Sequence, residues 1–69
     1  MNRTITIGSV TYAQKAKRIL IQKGIRVRLV KQEATSDGGC AFGVEVPEEA
    51  HLDALLILRA AGIRPRTDE

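Results

Sequence analysis

The side chain best suited to chemistry in this sequence is the thiol of Cys40, the only cysteine among the 69 residues. It follows the glycine pair Gly38 and Gly39 and precedes the alternating segment AFGVEV. A structural cysteine usually behaves as a small buried hydrophobe, whereas this one lies between a flexible turn and the start of a predicted strand. The placement favours an accessible thiol, and the alternative is a half-buried strand residue. A lone cysteine excludes an intrachain disulfide and a multi-cysteine metal site, and we expect no metal and no cofactor.

The other titratable side chains are better explained by structural roles. His51 is the only histidine, and it falls in the first turn of a predicted helix. The predicted topology puts that turn at the opposite end of the domain from Cys40, so a Cys–His catalytic pair is not expected. Glu48 and Glu49 precede the same helix, where acidic side chains suit the positive end of the helix dipole. We therefore expect an accessory protein rather than an enzyme.

Length and composition predict one α+β domain over residues 1–69, with residues 64–69 forming a flexible tail. Apolar residues make up 43% of the chain and Tyr12 and Phe42 are its aromatic residues, so the core must be aliphatic. The sequence contains no apolar segment of signal-peptide or membrane-spanning length. Together with the single cysteine, this predicts a cytoplasmic protein that does not enter a membrane.

Hydrophobic periodicity predicts five elements that must position the thiol, in the order β-α-β-β-α. We expect strands over residues 4–7, 25–30 and 41–46, and helices over residues 11–23 and 48–61. The charged sequence after the second helix leaves a short final strand, starting at Ile63, as an open alternative that Pro65 disfavours.

Both helices carry a predicted apolar stripe. Ser9 or Thr11 is expected to cap the first helix, and Thr11 with Gln14 has the spacing of a capping box. The first stripe consists of Val10, Ala13, Ala16, Ile19 and Leu20. The second consists of Leu52, Leu55, Leu56, Leu58 and Ala61.

The element order matches the ferredoxin-like split β-α-β unit, in which two helices cover one face of an antiparallel sheet. Right-handed crossovers then place the third strand between the first two. In this topology Cys40 lies near the N-terminus of the first helix, whose N–H groups favour an anion. We expect this position to lower the pKa of the Cys40 thiol below its ordinary range. The candidate thiol environment comprises Ser9, Val10, Thr11, Gly38 and Gly39.

Four segments carry a resemblance to a known family: ITIGSVTYAQKAKRIL, GIRVRLV, a polar loop ending in the cysteine, and PEEAHLDALLILRAAGI. Over nearly its whole length the chain resembles small bacterial and archaeal proteins described as putative selenium/sulfur carrier-like, formerly a domain of unknown function. The resemblance implies that Cys40 carries a sulfur or selenium atom as a persulfide or selenosulfide for a partner enzyme. This chain departs from the family pattern at Ala41, where relatives have glycine, and at Val10 and Thr11, where relatives often have histidine.

Three functional hypotheses follow, and a thiol-based carrier that serves a protein partner in sulfur or selenium metabolism is favoured. The second is a ferredoxin-like binding or regulatory module that forms a weak homodimer through the edge of its sheet, with Cys40 incidental. The third is a nucleic-acid binder that uses Arg26, Arg28 and the first-helix lysines, consistent with a net charge of +3. It is the weakest, because the sheet lacks the exposed aromatic residues on which RNA bases stack.

Overall fold

The sheet of this domain has its third strand in the middle, as the sequence predicts. The computed structural model describes residues 1–32 and 41–65. Its sheet order is β1-β3-β2, and both pairings are antiparallel. The elements are β1 (Asn2–Gly8), α1 (Val10–Gln22), β2 (Arg28–Gln32), β3 (Ala41–Pro47), a 3₁₀ turn (Glu48–Ala50) and α2 (His51–Ala60). The α+β class and the β-α-β-β-α order are thus confirmed.

The core lies between the sheet and the helices, and the buried residues in the described part of the chain are all apolar or glycine. Alternation along the strands turns Ile5 and Val44, which are register partners, toward the helices, and both are fully buried. The alanines of α1 bring the helix backbone close to the sheet, because they add little side-chain volume at the contact. The buried core residues are Ile5, Ile7, Ala13, Ala16, Leu20, Val44, Val46, Ala54, Leu58 and Ile63. The first predicted stripe is confirmed except for Val10, which is exposed.

The start of α1 is capped by Ser9. The Ser9 backbone is extended, and its hydroxyl oxygen accepts the N–H of Thr11 at 3.2 Å. Of the two predicted caps, Ser9 is confirmed. Thr11 lies inside the helix, so the alternative of a Thr11 cap with Gln14 in a capping box is wrong. The first N–H groups of a helix have no acceptor within the helix. A side chain just before the helix can accept one of them, and Ser9 occupies that position between β1 and α1.

Each helix ends in a glycine with a left-handed backbone. At α1, Gly24 has φ +82° and the N–H of Ile25 donates to the carbonyl of Leu20 at 2.9 Å. At α2, Gly62 has φ +83° and the N–H of Ile63 donates to the carbonyl of Leu58 at 2.9 Å. This is the Schellman arrangement, which turns an apolar residue back onto the helix it terminates.

These terminations explain where the predicted strand boundaries were wrong. Ile25 belongs to the turn that ends α1, so β2 begins at Arg28 rather than at Ile25. Ile63 likewise closes α2 and is buried there, and residues 61–65 contain no strand. Of the predicted tail, residues 66–69 lie outside the described residues.

The apolar stripe predicted for α2 is only partly correct. Leu58 is fully buried and Leu55 packs against the core, but Leu52 and Leu56 are 67% and 54% exposed. The predicted inward position of Ala61 is also wrong, because Ala61 is exposed. The inward face is instead built on Ala54 and Leu58, one turn apart, flanked by Leu55 and Ile57. Apolar residues surround α2 on all sides, so the sequence pattern does not specify which side faces the sheet.

The second face of the sheet is polar and carries an ion pair. Arg28 on β2 lies opposite Glu45 on β3, and their side chains approach to 3.1 Å. Thr4 is the register partner of Glu45 from the β1 side, which gives a polar row across the three strands. No helix within the described ranges has the length and apolarity needed to cross a bilayer.

Candidate functional site

The first residues of β3 lie beside the exit of β1. Phe42 is the register partner of Gly8, and an irregularity between Thr6 and Gly8 places one extra residue in β1. Gly8 has φ +111°, and the chain turns there from β1 into Ser9 and α1. The residues directly after Cys40 in the sequence are therefore adjacent to the segment that begins α1.

The N-terminus of α1 is electropositive and accessible. Its first turn contains no acidic residue. Ser9, Val10 and Thr11, the described members of the predicted thiol environment, are all exposed, Val10 to 39%. The Ser9 hydroxyl accepts the Thr11 N–H, and the positive end of the helix dipole remains directed at the solvent in front of it. This end of the domain is thus suited to an anion.

A groove that the sequence patterns do not reveal adjoins the same end of the sheet. It has a volume of about 280 Å³ and is lined by Ile7, Tyr12, Gly62, Ile63 and Arg64. Tyr12 contributes a half-exposed phenol and Arg64 an exposed guanidinium. The sequence analysis missed Arg64 because it assigned that residue to the tail, and it gave Tyr12 no role in a site. The turn signal Gly62–Ile63 could have indicated Arg64, since a Schellman turn directs the following residue back across the end of its helix.

Cys40, Gly38 and Gly39 lie outside the described residues, so the accessibility and acidity of the thiol stay predictions. His51 lies within the described residues. It begins α2, directly after the 3₁₀ turn that follows the C-terminal end of β3. The seven residues of β3 span about 20 Å, which separates Ala41 from that end. At that end the N–H of Glu48 donates to the carbonyl of Met1 at 2.8 Å. His51 therefore does not belong to the site at the start of β3.

Comparison with protein-family models, curated proteins and solved structures finds no match for this chain. The resemblance to the selenium/sulfur carrier-like family accordingly stays a prediction that depends on the four sequence segments alone.

Proposed function

We propose that this protein is a thiol-based carrier in which Cys40 accepts a sulfur or selenium atom and passes it to a partner enzyme. The proposal is supported by one observation above all. Phe42 pairs with Gly8, so the strand that begins after Cys40 starts next to the N-terminus of α1. The first turn of α1 contains no acidic residue that would offset the positive end of the helix dipole. Such a terminus favours the thiolate over the neutral thiol. The exposed Arg64 in the adjoining groove adds positive charge at the same end of the sheet.

The transfer step requires no cofactor. The Cys40 thiolate attacks the outer sulfur of a donor persulfide, forming a new S–S bond as the donor's S–S bond breaks. The donor leaves as a thiolate, and Cys40 becomes the persulfide. Because one disulfide-type bond replaces another, the step involves no net oxidation or reduction. The same exchange written with selenium gives a selenosulfide on Cys40.

The first prediction concerns the acidity of Cys40. We expect its pKa in the folded protein to be lower than in the urea-unfolded protein, because the proposal places the thiol near the α1 terminus only when the chain is folded. Iodoacetamide alkylation followed by mass spectrometry over a range of pH values measures this, with Cys40→Ala as the blank. A thiol that reacts only after unfolding would contradict the carrier proposal and leave Cys40 as a buried structural residue.

A pair of variants at Thr11 isolates the contribution of the helix terminus. Thr11→Asp adds a negative charge to the first turn of α1. Thr11→Asn introduces a side chain of nearly the same shape as aspartate but without the charge. The charge should slow alkylation near neutral pH by about two- to fivefold, the factor expected for a helix-terminus interaction. Thr11 is exposed and its backbone N–H is the group that Ser9 holds, so neither substitution should disturb the fold. Equal alkylation rates in the two variants would exclude the α1 terminus as the activating group.

A binding module that acts as a weak homodimer is the second candidate. It is favoured by the exposed leucines Leu52 and Leu56 on the outer side of α2. The polar row Thr4, Glu45 and Arg28 makes the open sheet face a weaker association surface. We expect partial dimerisation in sedimentation velocity at high micromolar concentration, reduced by Leu52→Ser/Leu56→Ser. A purely monomeric protein at that concentration would remove this candidate.

A further inference from the structure

A second groove lies on the opposite side of α1 from α2, and it belongs to neither functional candidate. We call it the α1–β2 groove. It is open, has a volume of about 430 Å³, and is lined by Gln14, Lys17, Arg18, Ile21, Gln22 and Leu29. Its base is apolar, because Ile21 is 53% exposed there and Leu29 is only partly buried. Basic and amide side chains of α1 form its outer wall.

The groove runs beside an unpaired strand edge. Within residues 1–32 and 41–65, β2 pairs with β3 and with no other strand. The other edge of β2 therefore offers backbone N–H and C=O groups that no described strand satisfies. An additional strand on that edge would place every second side chain on the face of Leu29, next to the groove, and the alternate ones on the open face of the sheet.

The charged residues of α1 and β2, the two elements that form the groove and this edge, are all basic. Between Ser9 and Gln32 the sequence contains seven basic residues and no acidic residue. Lys17 and Arg18 lie in the groove, and the exposed Lys31 is on the same face of β2 as Leu29. On the opposite face of β2 lies Arg28, which forms an ion pair with Glu45 of β3.

We propose that the free edge of β2 and the α1–β2 groove bind an extended, acidic segment of another protein by strand addition. Backbone hydrogen bonds to β2 would hold the segment, as in other cases of β-augmentation. Its apolar side chains would contact Ile21 and Leu29, and its carboxylates would lie near the surrounding lysines and arginines. The proposal is argued from residues of α1 and β2 alone, so this inference does not depend on the carrier proposal.

An acidic peptide fits this surface better than its two competitors. A second copy of the chain would bring its own basic β2 edge against this one, and like charges would oppose the pairing. A single-stranded nucleic acid would satisfy the charges, but it cannot form the backbone ladder. The groove lining also contains no aromatic residue on which bases could stack.

The test uses the Cys40→Ser protein throughout, so its outcome is independent of thiol chemistry. The probe is a short fluorescein-labelled peptide of alternating glutamate and valine, titrated by fluorescence anisotropy at low salt. We expect saturable binding that weakens as salt rises, with amide shifts in the NMR spectrum centred on residues 28–32. The double variant Lys17→Glu/Arg18→Glu should weaken binding by about tenfold, since two attractive pairs become repulsive.

Three matched controls make the result decisive. Lys15→Glu/Lys23→Glu changes the net charge equally at two exposed positions outside the groove, one in α1 and one directly after it, and it should bind the peptide nearly as well as the parent protein. A lysine–valine peptide and a glutamate–valine peptide with alternate N-methylated amides should both bind poorly. Equal loss in the two double variants, equal binding of either control peptide, absence of binding, or tighter binding of a single-stranded RNA of similar length would each overturn the proposal.

Discussion

Replacing Leu58 by alanine should remove most of the stability of this domain. Leu58 is fully buried in the core, and its backbone carbonyl accepts the Ile63 N–H that closes α2. Leu58→Ala removes two methyl groups and one methine group from a fully buried site and leaves a cavity. A change of this kind lowers the free energy of unfolding by about 2–5 kcal/mol. The core of a domain of this size rarely supplies a net free energy of unfolding above about 3–5 kcal/mol. Urea unfolding followed by circular dichroism should therefore show a transition shifted close to zero denaturant.

Leu56→Ala provides the matched control, because it makes the same change two positions earlier on α2. Leu56 is 54% exposed, so its truncation should change the free energy of unfolding by no more than about 0.5 kcal/mol. The sequence pattern alone assigns both leucines to the inward stripe and predicts similar losses. Similar losses in the two variants would show that the orientation of α2 described here is incorrect.

The second large effect is expected at Gly43, where β3 leaves no room for a side chain beside the backbone of β1. A Cβ atom at this position would lie 2.5 Å from the backbone carbonyl oxygen of Ile5, closer than such atoms come in folded proteins. Because the obstacle is backbone in a paired strand, it can move away only if the β1–β3 pairing is disturbed. Gly43→Ala should lower the free energy of unfolding by about 1–3 kcal/mol, measured by urea titration.

Gly24 offers a comparison in which glycine is needed for a different reason. A Cβ atom there would meet nothing within 4 Å, but the backbone has φ +82°. Gly24→Ala should cost about 1–2 kcal/mol from the left-handed backbone, and Gly24→Asn less, since asparagine tolerates that conformation. At Gly43 the order should reverse, with asparagine worse than alanine because it is larger. Asparagine restoring stability at Gly43 would contradict the steric explanation.

The sequence by itself determined the class of the domain, its element order and most of its core. The strand TITI and the stripe of Ala13, Ala16 and Leu20 were predicted because each repeats at the period of its own element, which is a local property. The central position of β3 was also predicted, because the handedness of β-α-β crossovers leaves little choice once the order is known. That the only cysteine directly precedes the segment AFGVEV is likewise a property of the sequence alone.

Only the tertiary structure decided which side of α2 is buried, because its apolar side chains surround the helix and the contact with the sheet and α1 selects Ala54 and Leu58. The tertiary structure also decided that Phe42 pairs with Gly8 across an irregularity in β1. Strand register depends on how two strands pack together, so the sequence of one strand does not specify it. Arg64 reaches the end of the sheet near Ile7 only because α2 runs back toward that end. The basic α1–β2 groove also depends on two segments that are distant in sequence. Periodicity reports the faces of single elements, and these features arise where the elements meet.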